Sequence, residues 1–124
     1  MRSILVVDDD AEARRTLREF LTAEGFVIHA ARDGQHALSI LERILLPDLI
    51  LLDYKMPVMD GKQFLSLMRR TPKFQHIPVV LLSAATREWS GANLEVEDVL
   101  SKPIDLDFLL ETVARILASH HPAS

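Results

Sequence analysis

Polar residues stand where the short apolar runs of this sequence stop. "ILVV" (4–7) runs into the acids of "DDD" (8–10), "LILL" (49–52) into Asp53, "IPVVLL" (77–82) into Ser83, and "DVL" (98–100) into Ser101-Lys102-Pro103. Continuous apolar runs of this length read as strands covered on both faces. A carboxylate at the end of such a strand sits at the rim of a core, where burial without a partner is costly. Carboxylates brought together also raise one another's pKa. A divalent cation resolves the conflict. Magnesium suits Asp8, Asp9 and Asp53 because it is a hard ion that takes carboxylates, waters and phosphate oxygens in an octahedron, and manganese is the alternative. With the ion and Lys102 opposing the three acids, the cluster is balanced before any phosphoryl group arrives. A phosphoryl group would then meet the metal, the Lys102 ammonium and the Ser83 hydroxyl on different oxygens, an arrangement that stabilises charge in phosphoryl transfer. Asp53 is the natural nucleophile, since a carboxylate can form an acyl phosphate.

Taken singly, these residues have plainer readings. "DDD" serves equally as a helix cap, with Asp9 as N-cap and Glu12 three residues on in a capping-box pattern. Ser83 alone reads as a turn hydroxyl, Lys102 as a solvated surface lysine, Asp60-Gly61 as a turn, and Met56-Pro57 as shaping the loop after Asp53. Their joint occurrence at the ends of separate apolar runs favours the shared site.

The elements that must hold the site follow from periodicity. "FVIHA" (26–30) adds a fifth strand through its β-branched content. Between the strands, Ala13, Leu17, Phe20 and Leu21 recur at helical spacing, as do Ala37, Leu41, Ile44 and Leu45, and finally Leu106, Leu109, Leu110, Val113, Ile116 and Leu117. Residues 61–70 carry Phe64, Leu65 and Met68 behind Gly61 and stop before Thr71-Pro72. Residues 86–93 form the weakest helical stretch, interrupted by Gly91 and with Trp89 as its large apolar group. Strands alternating with helical crossovers predict an α/β fold, a doubly wound five-stranded parallel sheet with helices on both faces and a short or irregular fourth helical stretch. Ligands bind such sheets beyond the carboxyl ends of the strands, where strand order reverses.

The 124 residues suffice for one domain, expected over 1–118, with "SHHPAS" (119–124) as a flexible tail. Cysteine is absent, which excludes disulfides, thiolate catalysis and zinc–thiolate sites. No apolar run approaches the length of a membrane span and "MRSILVVDDD" lacks a signal peptide's pattern, so a cytoplasmic location is expected. The net charge of −4 argues against direct nucleic-acid binding. His29, His36, His76, His120 and His121 have no metal-ligand spacing. No glycine-rich phosphate loop is present, so ATP is not expected to bind directly.

In order, "ILVVDDD" (4–10), "GFVIHAARDGQHAL" (25–38), "PDLILLDYKMPVMDG" (47–61), "IPVVLLSA" (77–84) and "LSKPI" (100–104) resemble the receiver domain of bacterial two-component response regulators, of the single-domain, chemotaxis-regulator-like kind. The resemblance covers essentially the whole chain and implies a flavodoxin-like sheet of order 2-1-3-4-5. Position by position, it implies that Asp9 is the more direct magnesium ligand and Asp8 acts largely through water. Asp53 would be the phosphoacceptor, the Lys55 backbone carbonyl a further ligand, and Ser83 the switch hydroxyl. Lys102 would be the site lysine, joined to Pro103 by a bond that is often cis in the family. The implied partner is a sensor histidine kinase or histidine phosphotransfer protein, and the domain would assist both its own phosphorylation and its dephosphorylation rather than act as a turnover enzyme.

The sequence departs from the family pattern in two places. Val99 stands where an aromatic residue usually lies three before the lysine, and the interval from Ser83 to Lys102 is shorter than usual. The usual output surface should therefore be altered, with Trp89 a candidate anchor for a partner or a homodimer. Lys55 and Ala85 occupy positions whose side chains, the resemblance implies, modulate access of water to the acyl phosphate. With no output segment after Leu117, signalling is expected to pass to a downstream protein target or to an output domain missing from this chain. The competing readings are a degenerate receiver acting as a phosphorylation-independent binding module, disfavoured by the intact acid, serine and lysine set, and a small-substrate phosphohydrolase, disfavoured by the lack of sequence for a substrate cap.

Overall fold

A computed structural model describes residues 2–84 and 96–120 of the chain. In order these form β1 (Ser3–Val7), α1 (Ala11–Ala23), β2 (Val27–Ala31), α2 (Gly34–Leu41), β3 (Leu49–Asp53), α3 (Gly61–Arg69), β4 (Val79–Ser83), β5 (Asp98–Ser101) and α4 (Leu106–Ser119). The strands make one parallel sheet in the order β2-β1-β3-β4-β5. This is the expected doubly wound, flavodoxin-like topology. The weak helical stretch at 86–93 lies outside the described residues, and so do Ala85 and Trp89.

Alternation along the strands divides the core in two. Ile4, Val6, Leu49, Leu51, Val80 and Leu82 face α1 and α4, against Leu17, Leu21, Leu109 and Val113. Leu5, Val7, Ile50, Leu52, Val79 and Leu81 face α2 and α3, against Ala37, Leu41, Phe64 and Met68. β3 and β4 are buried along their whole length, which explains their unbroken apolar runs. Each full burial of a leucine or phenylalanine side chain here is worth about 1.5–3 kcal/mol.

Each of the four described helices starts at an aspartate. Asp10 accepts from Glu12 N–H at 2.9 Å, Asp33 from His36 N–H at 2.8 Å, Asp60 from Gln63 N–H at 2.8 Å and Asp105 from Phe108 N–H at 3.1 Å. The N-cap of α1 is thus Asp10 and not Asp9, a correction to the sequence expectation. The Asp8 carboxylate takes the Asp10 N–H at 2.9 Å, and the helix begins one residue later. Asp60 likewise does more than turn the chain, because it forms a full capping box with Gln63.

α2 is shorter than its apolar spacing suggests. It ends at Leu41, leaving Ile44 and Leu45 outside, with Leu45 93% exposed. Pro47 disfavours helix at the residue before it. Asp48 then ties the chain to β1, its carboxylate accepting Ser3 N–H at 2.8 Å and its own N–H donating to the Ser3 carbonyl at 2.9 Å. Among the described residues no helix is long and apolar enough to cross a membrane.

Candidate functional site

Strand order reverses at β1, which has β2 on one side and β3 on the other. Val7 pairs with Leu52, so the residues that follow them, Asp8 and Asp53, leave the sheet side by side. Both are buried, at 1% and 5% exposure, while Asp9 is exposed. One carboxylate oxygen from each of Asp8, Asp9 and Asp53 lies within 4.8 Å of the others. Lys102 follows β5 at the outer end of the sheet and reaches back across β4. Its Nζ lies 3.2 Å from Asp8 Oδ2 and 3.1 Å from Asp53 Oδ1. The Lys102 N–H donates to the Ser83 carbonyl at 2.8 Å, which fixes the start of this reach, and the Lys102–Pro103 peptide is cis.

The turn after β1 is held at several points. Asp8 N–H donates to the Ala31 carbonyl at 3.1 Å, and Arg14 Nη1, one turn into α1, donates to the Asp8 carbonyl at 2.6 Å. Because Asp10 caps the helix, capping does not draw on the Asp8 and Asp9 carboxylates. On the other side, Gly61 packs against the end of β3, where an added Cβ would lie 2.9 Å from Tyr54 Cα and 3.0 Å from the Asp53 carbonyl oxygen. Only a residue without Cβ lets α3 start this close to the acid-bearing strand.

Burial pushes the Asp53 carboxyl up, the Asp8 charge pushes it further, and Lys102 only partly offsets them, so its pKa is raised to about 7. Burial would lower the Lys102 ammonium, but Asp8 and Asp53 together outweigh it and hold its pKa above the ordinary lysine value. One lysine does not satisfy the site. The three carboxylates form an all-oxygen donor set of the kind a hard divalent cation takes, with two donors from adjacent strands and one exposed toward solvent. The donor set fits magnesium or manganese, and Asp53 is a candidate phosphorylation site within it.

The model of the response regulator receiver domain family matches residues 4–114. The chain belongs to that family. The receiver is 37% identical over 122 residues to an uncharacterised 14.6 kDa protein of Leptolyngbya boryana, covering 96% of this chain and 92% of that one. It is also 37% identical over 124 residues to the transcriptional regulatory protein CpxR of Escherichia coli strain K12, covering 98% of this chain but 51% of CpxR. The receiver thus spans about half of CpxR. Among solved structures, response regulator protein TrrA of Thermotoga maritima, in complex with Mg2+-BeF, superposes with a TM-score of 0.83 at 31% identity, covering 94% of this chain and all of that one.

The receiver brings Asp8, Asp9, Asp53 and Lys102 into one cluster. Ser83 is buried at 1% exposure and ends β4, one residue beyond Leu82, the register partner of Asp53. Lys55 is exposed, two residues past Asp53. Val99 is half-buried in β5, opposite Leu81, and packs against the α2–α3 side of the core. Sequence reasoning missed Arg14. Its one usable signal was its position a turn after the acidic run, where a long side chain can reach back to the strand end.

Proposed function

We propose that the receiver accepts a phosphoryl group from a partner phosphohistidine onto Asp53 and thereby changes its protein-binding surface. The observation that carries this reading is the contact of one ammonium, Lys102, with two buried carboxylates from adjacent strands, Asp8 and Asp53. In the transfer, a carboxylate oxygen of Asp53 attacks phosphorus in line, the new O–P bond forms as the P–N bond breaks, and the imidazole leaves with the bonding pair. Lys102 lies against the oxygen side of Asp53, where it can neutralise charge on the transferring group without moving far. Ser83, at the neighbouring strand end, is the hydroxyl that turns toward the bound phosphoryl group. A magnesium ion held by Asp8, Asp9, Asp53 and the Lys55 carbonyl would supply Lewis-acid neutralisation of phosphoryl oxygens. The Mg2+-BeF complex of TrrA supports that choice of ion.

The donor on this reading is a sensor histidine kinase or a histidine phosphotransfer protein, and the recipient is a downstream protein or an output domain on a longer chain, in the cytoplasm. Half-buried Val99 would couple the filled site to the β5 face in place of an aromatic side chain.

The deciding experiment is intact mass after incubation with acetyl phosphate, with and without magnesium, on the parent and Asp53→Asn. The parent should gain one phosphoryl group only with magnesium, and the variant none. Labelling of the variant to the same extent would overturn the assignment of Asp53. A folded parent that stays unlabelled with acetyl phosphate and with a phosphohistidine donor would leave the binding-module reading in its place.

A further inference from the structure

The free edge of the sheet carries a charge pattern opposite in sign to the acidic site. Among the described residues β2 pairs with β1 alone. Val27 N–H donates to the Arg2 carbonyl at 2.9 Å and the Ala31 carbonyl accepts from Asp8 N–H, so residues 27, 29 and 31 turn their backbone groups toward β1. The N–H and C=O groups of Ile28 and Ala30 therefore point outward, away from the sheet. Arg18 comes to this edge from α1 on one face, and Arg43 comes from just beyond α2 on the other. With His29, Ala30, Ile40 and Ile44 they line a cavity of about 360 Å3 to which no acidic residue contributes.

The surrounding cations extend the pattern. Arg14, Arg32 and Arg43 all act on His36 across the same side of the molecule, opposed by Asp33. Arg14 donates to the Asp8 carbonyl and Arg43 to the Ser39 carbonyl, while Arg32 Nη1 faces His36 at 3.3 Å. Among the described residues none of Arg18, Arg32 and Arg43 is ion-paired with a carboxylate. This concentration of unpaired positive charge occurs on a chain whose net charge is −4.

We propose that the outer edge of β2, between Arg18 and Arg43, binds an extended acidic segment of a partner protein as an added strand. The outward backbone groups of Ile28 and Ala30 supply main-chain hydrogen bonds. Successive side chains of an added strand alternate between faces, so acids along it meet Arg18 on the α1 side and Arg43 on the α2 side. Ile40, Ile44 and Ala30 give an apolar floor for the stems of glutamate or neighbouring aliphatic side chains. A second copy of this chain would bring the same arginines against them and be repelled, the usual way an edge strand is kept from self-pairing. A nucleic acid has no peptide backbone to pair with β2 and is repelled by the remainder of the chain.

The test uses a fluorescein-labelled peptide of Glu and Val in the repeat Glu-Glu-Val-Val, about eight residues long to span one strand, so that acids fall on both of its faces. Its anisotropy is followed with the intact chain, the same peptide carrying Pro at every second position, an equivalent Lys-Val peptide and a single-stranded oligonucleotide. The Glu-Val peptide should bind with a dissociation constant on the order of micromolar to tens of micromolar, more weakly as salt rises. Hydrogen exchange should slow at the Ile28 and Ala30 amides. Arg18→Gln/Arg43→Gln should cut affinity by about tenfold with the melting temperature unchanged, since both side chains are exposed. Equal binding of the proline peptide would reduce the effect to unspecific charge attraction and overturn strand addition. Tighter binding of the oligonucleotide would overturn the choice of partner, and no peptide binding up to about a millimolar at low salt would overturn the proposal outright.

Discussion

Arg14 Nη1 donates to the backbone carbonyl of Asp8 at 2.6 Å, so the first helix grips the strand end that carries the buried acid. The bond fixes the peptide between Asp8 and Asp9 and with it the direction in which both carboxylates leave the chain. Arg14→Ala should weaken magnesium binding by roughly tenfold, as loss of a group that orients metal ligands does. Calorimetric titration would measure it. A structural role alone would lower the melting temperature and leave the affinity of the folded protein unchanged.

The raised pKa of Asp53 makes a prediction about stability without divalent ions. Its folded value, about 7, lies above the ordinary carboxylate value of 3.8, so between those pH values the folded state holds more protons than the unfolded one. Stability contributed at Asp53 is then present at low pH and lost as pH rises through 7. Asp53→Asn should become more stable relative to the parent across that window, by on the order of 2 kcal/mol at neutral pH after allowance for coupling to Asp8 and Lys102. Melting curves in chelator from pH 4 to 8 would show the gap opening, and a constant gap would contradict it.

Asp9 is exposed, unlike the other two acids, and its removal should separate metal binding from folding. The melting temperature of the parent should rise with magnesium concentration, following the logarithm of ligand over dissociation constant. In Asp9→Ala the metal-free melting temperature should stay within about 0.5 kcal/mol-equivalent of the parent while the magnesium-dependent rise shrinks or disappears. A full rise in the variant would exclude Asp9 as a ligand.

Gly61→Ala tests how closely α3 must approach β3. Its new Cβ would lie 2.9 Å from Tyr54 Cα and 3.1 Å from the Tyr54 carbonyl oxygen, backbone atoms that cannot yield as a flexible side chain would. A loss of about 1–3 kcal/mol is expected from denaturant melts, together with slower labelling by acetyl phosphate because the strain falls next to Asp53. Unchanged stability would mean that the loop between β3 and α3 can shift freely.

The strand ends were readable because β3 and β4 are buried on both faces, so Asp53 and Ser83 stand out against unbroken apolar runs. The convergence of Asp8 and Asp53 was readable from the strand ends, and their side-by-side placement followed from the order 2-1-3-4-5 that the resemblance implies. The cap was misplaced by one residue because three successive aspartates are alike in type, and only the bond from Glu12 N–H to the Asp10 carboxylate decides among them. Ile44 and Leu45 fitted a helical spacing that Pro47 and Asp48 cut short for the sake of the next strand. Arg14 and Arg18 illustrate the remaining limit. Four residues apart on one helix, one reaches the acidic site and the other the sheet edge, and local charge pattern alone does not separate those destinations.

Lys102 follows the last strand directly, whereas the acids it opposes stand at the ends of the first and third. During synthesis the acids emerge first and their cationic counterpart last. A chain interrupted before β5 therefore carries the buried acids without the ammonium that opposes them. The charge cluster of Asp8, Asp9, Asp53 and Lys102 is thus complete only in a chain made and folded through β5.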